Sequence, residues 1–134
     1  MTAHQIAKYF LALQELGSED VSNLKLQKLI YYAQGYHLGL YRHPLFADTI
    51  EAWEHGPVVP EVYRFYKKHG SAPIPIPDDI DFSDDVYKTV GQFSAWRLRE
   101  MTHEEPPWKE ARDTGISNTI SQDSMRDYFK TLVE

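Results

Sequence analysis

Trp53-Glu54-His55-Gly56-Pro57-Val58-Val59-Pro60 packs a large aromatic, a titratable ring, a glycine and two prolines into one short segment. Gly56 can take backbone angles closed to other residues, and Pro57 fixes its own φ and restricts the residue before it. Pro60 suits the first turn of a helix, where a missing N–H costs nothing. The segment therefore predicts a rigid corner that enters a helix. A corner of this kind can do chemistry, grip a partner or simply turn the chain.

The flanking sequence is written mostly in helical periods. Ile6, Tyr9, Phe10, Leu13 and Leu16 predict a helix over about residues 3–16, with Gly17 as its stop. After a turn at Ser18-Glu19-Asp20, Ser22 or Asn23 can cap a second helix. Its stripe of Leu26, Leu29, Ile30, Ala33, Tyr36 and Leu40 is the strongest in the chain, and Gly35 and Gly39 leave room for close packing. Arg42-His43-Pro44 breaks that helix, and Thr49 to Trp53 alternates weakly, as a short strand does. Pro60 to His69 predicts a short helix with Lys67, Lys68 and His69 in its last turn and Gly70 at its end.

Pro73-Ile74-Pro75-Ile76-Pro77 can be an extended edge or a polyproline-like stretch, and Ile74 and Ile76 are expected to pair loosely with Ile50–Trp53. Helices are expected after Ser83 and after Ser94, one more turn at Pro106-Pro107-Trp108, and a terminal helix capped by Ser121. The fold class that follows is mainly α. It is a single domain over residues 1–134, a compact bundle of about six helices with at most a minimal two-stranded β element.

Composition removes several classes of function. The chain has no cysteine, which excludes disulfides, thiolate zinc sites and a cysteine nucleophile and fits a reducing cytoplasm. No apolar run reaches the roughly 20 residues that span a bilayer, and the N-terminus lacks the pattern of a signal peptide. A soluble, cytoplasmic protein with no membrane partner is the expectation. The net charge of −6 argues against nucleic-acid binding by this chain alone, because such affinity comes from cations that displace counterions. Nine tyrosines and three tryptophans supply amphipathic surface of the kind enriched at interfaces, although most are expected in the core.

No catalytic or metal constellation survives inspection. His103-Glu104-Glu105 starts like a zinc-protease helix, but Pro106 and Pro107 fill the turn that should carry the second histidine. The aspartates between Asp78 and Asp85 lack the glycine and terminal glutamate of a calcium loop and fit a solvated acidic loop. Phosphate-binding glycine loops and nucleophile elbows are missing from the sequence. His55 beside Glu54 could serve as a general base, but nothing in the sequence supplies its nucleophile, so a structural or interface histidine is the simpler reading. Trp108, aimed by two prolines, is read as an anchor sealing the core. The expectation is a protein that is not an enzyme and needs no metal and no cofactor.

Four blocks in register resemble a known family. They are Leu24 to Gly35; Pro44-Leu45-Phe46 with Ile50 to Trp53; His55 to Tyr63; and Thr102 to Trp108. In this order and spacing they are similar to the Panacea domain, the family of SocA-like antitoxins and phage-associated proteins. The resemblance implies an antitoxin of a toxin–antitoxin system that neutralises a cognate toxin by direct protein–protein binding. The alternative it implies is an adaptor that delivers the toxin or another client to a cellular protease. It implies no enzymatic activity. The second helix and the corner then supply the candidate partner-binding residues: Lys25, Lys28, Tyr31, Tyr32, Trp53, His55, Pro57 and Val58.

Overall fold

The computed structural model describes residues 2–12, 20–77, 106–114 and 118–133. Helix α1 spans Ala3–Ala12 and opens on a reciprocal cap. Thr2 Oγ1 accepts the Gln5 amide at 3.2 Å, and Gln5 Oε1 accepts the Thr2 amide at 2.7 Å. Asp48, from a distant loop, accepts the Ala3 amide at 3.1 Å, which places a carboxylate at the positive end of the helix. The expected continuation to residue 16 lies outside the described residues.

Helix α2 runs from Asn23 to Tyr41 behind the Ser22 cap, whose hydroxyl accepts the Lys25 amide at 3.4 Å. It is more than one apolar stripe. Every residue from 30 to 39 is buried, because α2 is the central rod around which the other elements pack. It ends where Arg42 turns left-handed at φ 66° and donates its amide to the Leu38 carbonyl at 2.9 Å.

The chain then forms β1 (Glu51–Trp53) and β2 (Gly56–Val58), helix α3 (Pro60–Tyr66) and a 3-10 turn over Lys67–His69. Helix α4 (Pro106–Thr114), strand β3 (Asn118–Thr119) and helix α5 (Gln122–Val133) follow. Five α-helices stand among the described residues, and the helices expected after Ser83 and Ser94 fall outside them.

The sheet corrects the expectation of at most two strands. Three strands form an antiparallel sheet in the order β2-β1-β3. Ile74 and Ile76 take no part in it. Both edges of β1 are occupied, and three prolines in five residues leave few amides to offer. Ile74 instead donates its amide to the Val21 carbonyl at 2.9 Å and buries its side chain.

The densest packing is the crossing of α2 and α5. A Cβ placed on Gly35 would lie 2.2 Å from the Phe129 ring, and one on Gly39 would lie 2.8 Å from the Phe129 backbone. Phe129 is fully buried there, with Tyr31, Tyr32 and Tyr36 edge-on at centroid distances of 5.6, 6.2 and 5.1 Å. The two glycines read from the sequence as packing glycines are the floor of this seam. Gly39→Ala is expected to cost about 1–3 kcal/mol, because its obstacle is backbone and cannot rotate away. The measurement is a lowered urea midpoint at unchanged slope; a midpoint equal to that of the wild type would contradict this account of the seam.

At the end of α2, the buried His37 ring donates from Nδ1 to the His43 carbonyl at 2.8 Å. Burial pushes its pKa below the ordinary 6.5; the bond to the His43 carbonyl opposes this and the charge of His43 adds to it. The unfolded chain therefore takes up a proton first as pH falls. Stability from the neutral ring is complete above pH 6.5 and is lost between 6.5 and the lower folded value. Replacing His37 by Asn, which keeps a donor, is expected to flatten the stability–pH curve below 6.5 in urea melts across that window.

Candidate partner-binding surface

The corner singled out in the sequence is a β-hairpin. Trp53 pairs with Gly56, so Glu54 and His55 form a two-residue turn, and both are exposed. Gly56 closes the turn at φ +135°, a region that side-chain-bearing residues rarely enter. Pro57 and Val58 return along β1 opposite Ala52 and Glu51, and Pro60 then starts α3.

Three contacts hold this hairpin in place. The Lys28 stem lies across it: a Cβ on Gly56 would sit 3.3 Å from Lys28 Cε, and burial lowers the lysine pKa from its ordinary value. Trp53 leans edge-on against Tyr63 of α3 at 5.1 Å and donates from its indole to Glu51 at 2.9 Å. From the other side Trp108 of α4 donates its indole N–H to the Trp53 carbonyl at 3.1 Å and packs against the core. Trp108 is thus the anchor that its two prolines implied.

Beneath the hairpin runs a line of buried amides on α2. Gln27 Oε1 accepts the Val59 amide at 2.9 Å, and Gln27 Nε2 donates to Asn23 at 3.0 Å. Asn23 in turn donates to the Tyr63 carbonyl at 3.0 Å. Two turns further along, Gln34 Oε1 accepts the Leu45 and Phe46 amides at 2.7 and 3.3 Å while its nitrogen donates to the Phe46 carbonyl at 2.8 Å. These side chains tie irregular backbone to the central helix in places where no strand or helix could satisfy it. The sequence reading passed over them. Their signal was the spacing of residues 23, 27 and 34, which keeps polar groups on one side of a helix whose apolar positions also demand burial.

The candidate residues therefore divide. His55 is exposed, and Lys25, Lys28, Trp53 and Pro57 are half-buried at the surface. Tyr31, Tyr32 and Val58 are core residues in this structure, with exposures of 1%, 6% and 1%. Tyr31 and Tyr32 face Phe129, and Val58 points inward because the strand pairing alternates it with Pro57. They support the surface from below.

An open cleft of about 440 Å³ adjoins the hairpin between residues 47–49 and 59–61. Its titratable groups are Asp48, already bound to the Ala3 amide, and Glu61. Among the described residues no histidine or lysine lines it. Among the described residues no group of three or more histidines, aspartates or glutamates is placed to hold a metal. No helix among them is long and apolar enough to cross a membrane. What the arrangement offers is a stiff aromatic projection of mixed charge, with Glu54 at its tip and Lys28 along its side.

The family model for Antitoxin SocA-like, Panacea domain, matches residues 26–83, the stretch holding most of α2, the hairpin and α3. Antitoxin SocA of Caulobacter vibrioides (strain NA1000 / CB15N) is 33% identical over an alignment of 136 positions, covering 82% of this chain and 72% of the relative. This chain belongs to the SocA-like antitoxin family with the Panacea domain. No solved structure matches it.

Gln27→Leu is expected to strand the Val59 amide and to cost about 1–3 kcal/mol for the unpaired donor. The hairpin should also loosen locally. Hydrogen exchange at Val59 should quicken more than exchange in the α2–α5 seam, and equal quickening at both would argue against a specific role for Gln27 in fixing the corner.

Proposed function

We propose that this protein is an antitoxin that neutralises a cognate toxin by binding it directly, and that the hairpin corner with the neighbouring edge of α2 is the contact surface. The kinship with Antitoxin SocA carries the functional half of this reading. The form of the surface supports the other half. Trp53 and Pro57 offer apolar area, while His55, Lys25 and Lys28 surround it with polar and cationic groups. Interfaces concentrate their energy in aromatic residues of this kind, and the hairpin is already held in one shape, which lowers the entropic cost of binding. Tyr31, Tyr32 and Val58 contribute by keeping that shape. The action is non-enzymatic and requires only that the complex outlast the toxin's encounter with its target.

The test pairs this chain with the product of the gene beside its own. That product is expected to arrest growth alone, to be tolerated on co-expression and to co-purify with this chain. Trp53→Ala combined with His55→Glu is expected to weaken the complex by about tenfold or more. Because the Trp53 ring also braces the hairpin against Tyr63, His55→Glu alone, at the exposed turn, is the companion variant expected to weaken binding while leaving the thermal melt close to that of the wild type. Tight binding by the double variant would move the interface elsewhere. Rescue accompanied by a shortened toxin half-life would favour delivery to a protease over inhibition by binding.

A further inference from the structure

The chain's charge is unevenly placed. Residues 1–77 hold seven acidic and seven basic side chains, so the whole net charge of −6 belongs to residues 78–134. Three of those seven bases, Arg64, Lys67 and Lys68, fall at the end of α3 and in the 3-10 turn after it. All three are exposed and make no ion pair among the described residues.

Helix α3 has two contrasting sides. Val62 and Tyr66 are buried, and Tyr63 leans on Trp53. Glu61, Arg64, Phe65 and Lys68 are exposed at steps of three, four and seven residues and share one face. Two positions along a helix turn a side chain by about 200°, so Phe65 points away from the hairpin corner. Its ring is 60% exposed, the most of any large hydrophobic side chain on the described surface. It is nonetheless held upright. His4 of α1 meets it edge-on at 5.4 Å and Tyr66 at 4.9 Å, each at 79°. Lys8 lies one turn beyond His4 on α1. The result is an oriented phenyl ring with Arg64 and Lys68 beside it and Glu61 one turn before it, on a protein whose overall charge is negative.

We propose that this outer face of α3 is a second docking surface, centred on Phe65, and that its occupant is an acidic protein segment carrying a large apolar side chain. The apolar residue would cover the Phe65 ring, and flanking carboxylates would meet Arg64 and Lys68. An orientation fixed before binding costs little entropy on contact. Charge complementarity selects the partner's sign and speeds encounter. Nucleic acid fits less well. Its affinity grows with the number of cations that replace counterions, and this face offers few of them on an acidic protein. The proposal goes beyond the toxin-binding reading and uses a different face, so the failure of either leaves the other standing.

Fluorescence anisotropy on the whole chain tests it with three labelled probes. They are a short peptide of Asp and Glu with a central Phe and Leu, the same peptide with Lys for every acid, and an oligouridine RNA. The acidic peptide is expected to bind saturably and to weaken as salt rises. Phe65→Ala should weaken it by about tenfold, and Arg64→Glu with Lys68→Glu should do the same. The basic peptide should not bind. Should Phe65→Ala disturb the thermal melt, the charge-reversed pair decides, since both its side chains are exposed. Failure of the acidic peptide to bind, binding indifferent to these substitutions, or tighter Phe65-dependent binding of the RNA would each overturn the proposal.

Discussion

The buried amides of α2 are the constraint on which the rest depends. Asn23, Gln27 and Gln34 lie inside the protein and bond backbone groups of the loop at residues 45–46 and the corner at residues 59–63, with Gln27 and Asn23 also bonded to each other. Irregular chain can be packed against a helix only if its amides and carbonyls find partners there. A helix cannot offer its own, which are spent along its axis. Glutamine solves this by carrying both a donor and an acceptor on a stem long enough to reach out from the helix. The loop that supplies Asp48 to cap α1 and the hairpin that carries the candidate surface are thus both positioned from one element.

That arrangement explains how a short hairpin can be stiff enough to serve as a recognition surface. Two-stranded hairpins are marginal by themselves. Here the turn rests on the Lys28 stem, the strand end is bonded to Gln27, the Trp53 carbonyl is held by Trp108, and its ring leans on Tyr63. The family match spans residues 26–83, which hold Gln27, Lys28, Trp53 and Tyr63 of this support, while Trp108 lies beyond it.

Much of the frame was legible in the sequence because it rests on local rules. Ser22, Pro60 and Ser121 cap or open helices where their chemistry requires, and Gly35 and Gly39 announced a close crossing. What escaped was non-local. The strand at residues 51–53 was visible, but its partners were not, because choosing between Gly56–Val58, Ile74–Ile76 and Asn118–Thr119 requires knowing which edges are free. Burial of Tyr31, Tyr32 and Val58 was equally hidden. Periodicity tells which face of an element is apolar but not whether the opposite face is also covered, and α2 is covered on nearly all sides. The candidate site was legible as a segment and not as a surface.

The seat of Phe129 has a consequence for the order in which the protein is made. Gly35 and its tyrosines leave the ribosome about ninety residues before the ring that fills their notch. Until then the central helix carries an open aromatic furrow along one side, with no local contact able to close it. A nascent chain that has not reached Phe129 therefore exposes aromatic surface along its central helix, and the furrow closes only when α5 arrives. The docking of α5 on α2, more than the formation of either helix, is the event that closes this core.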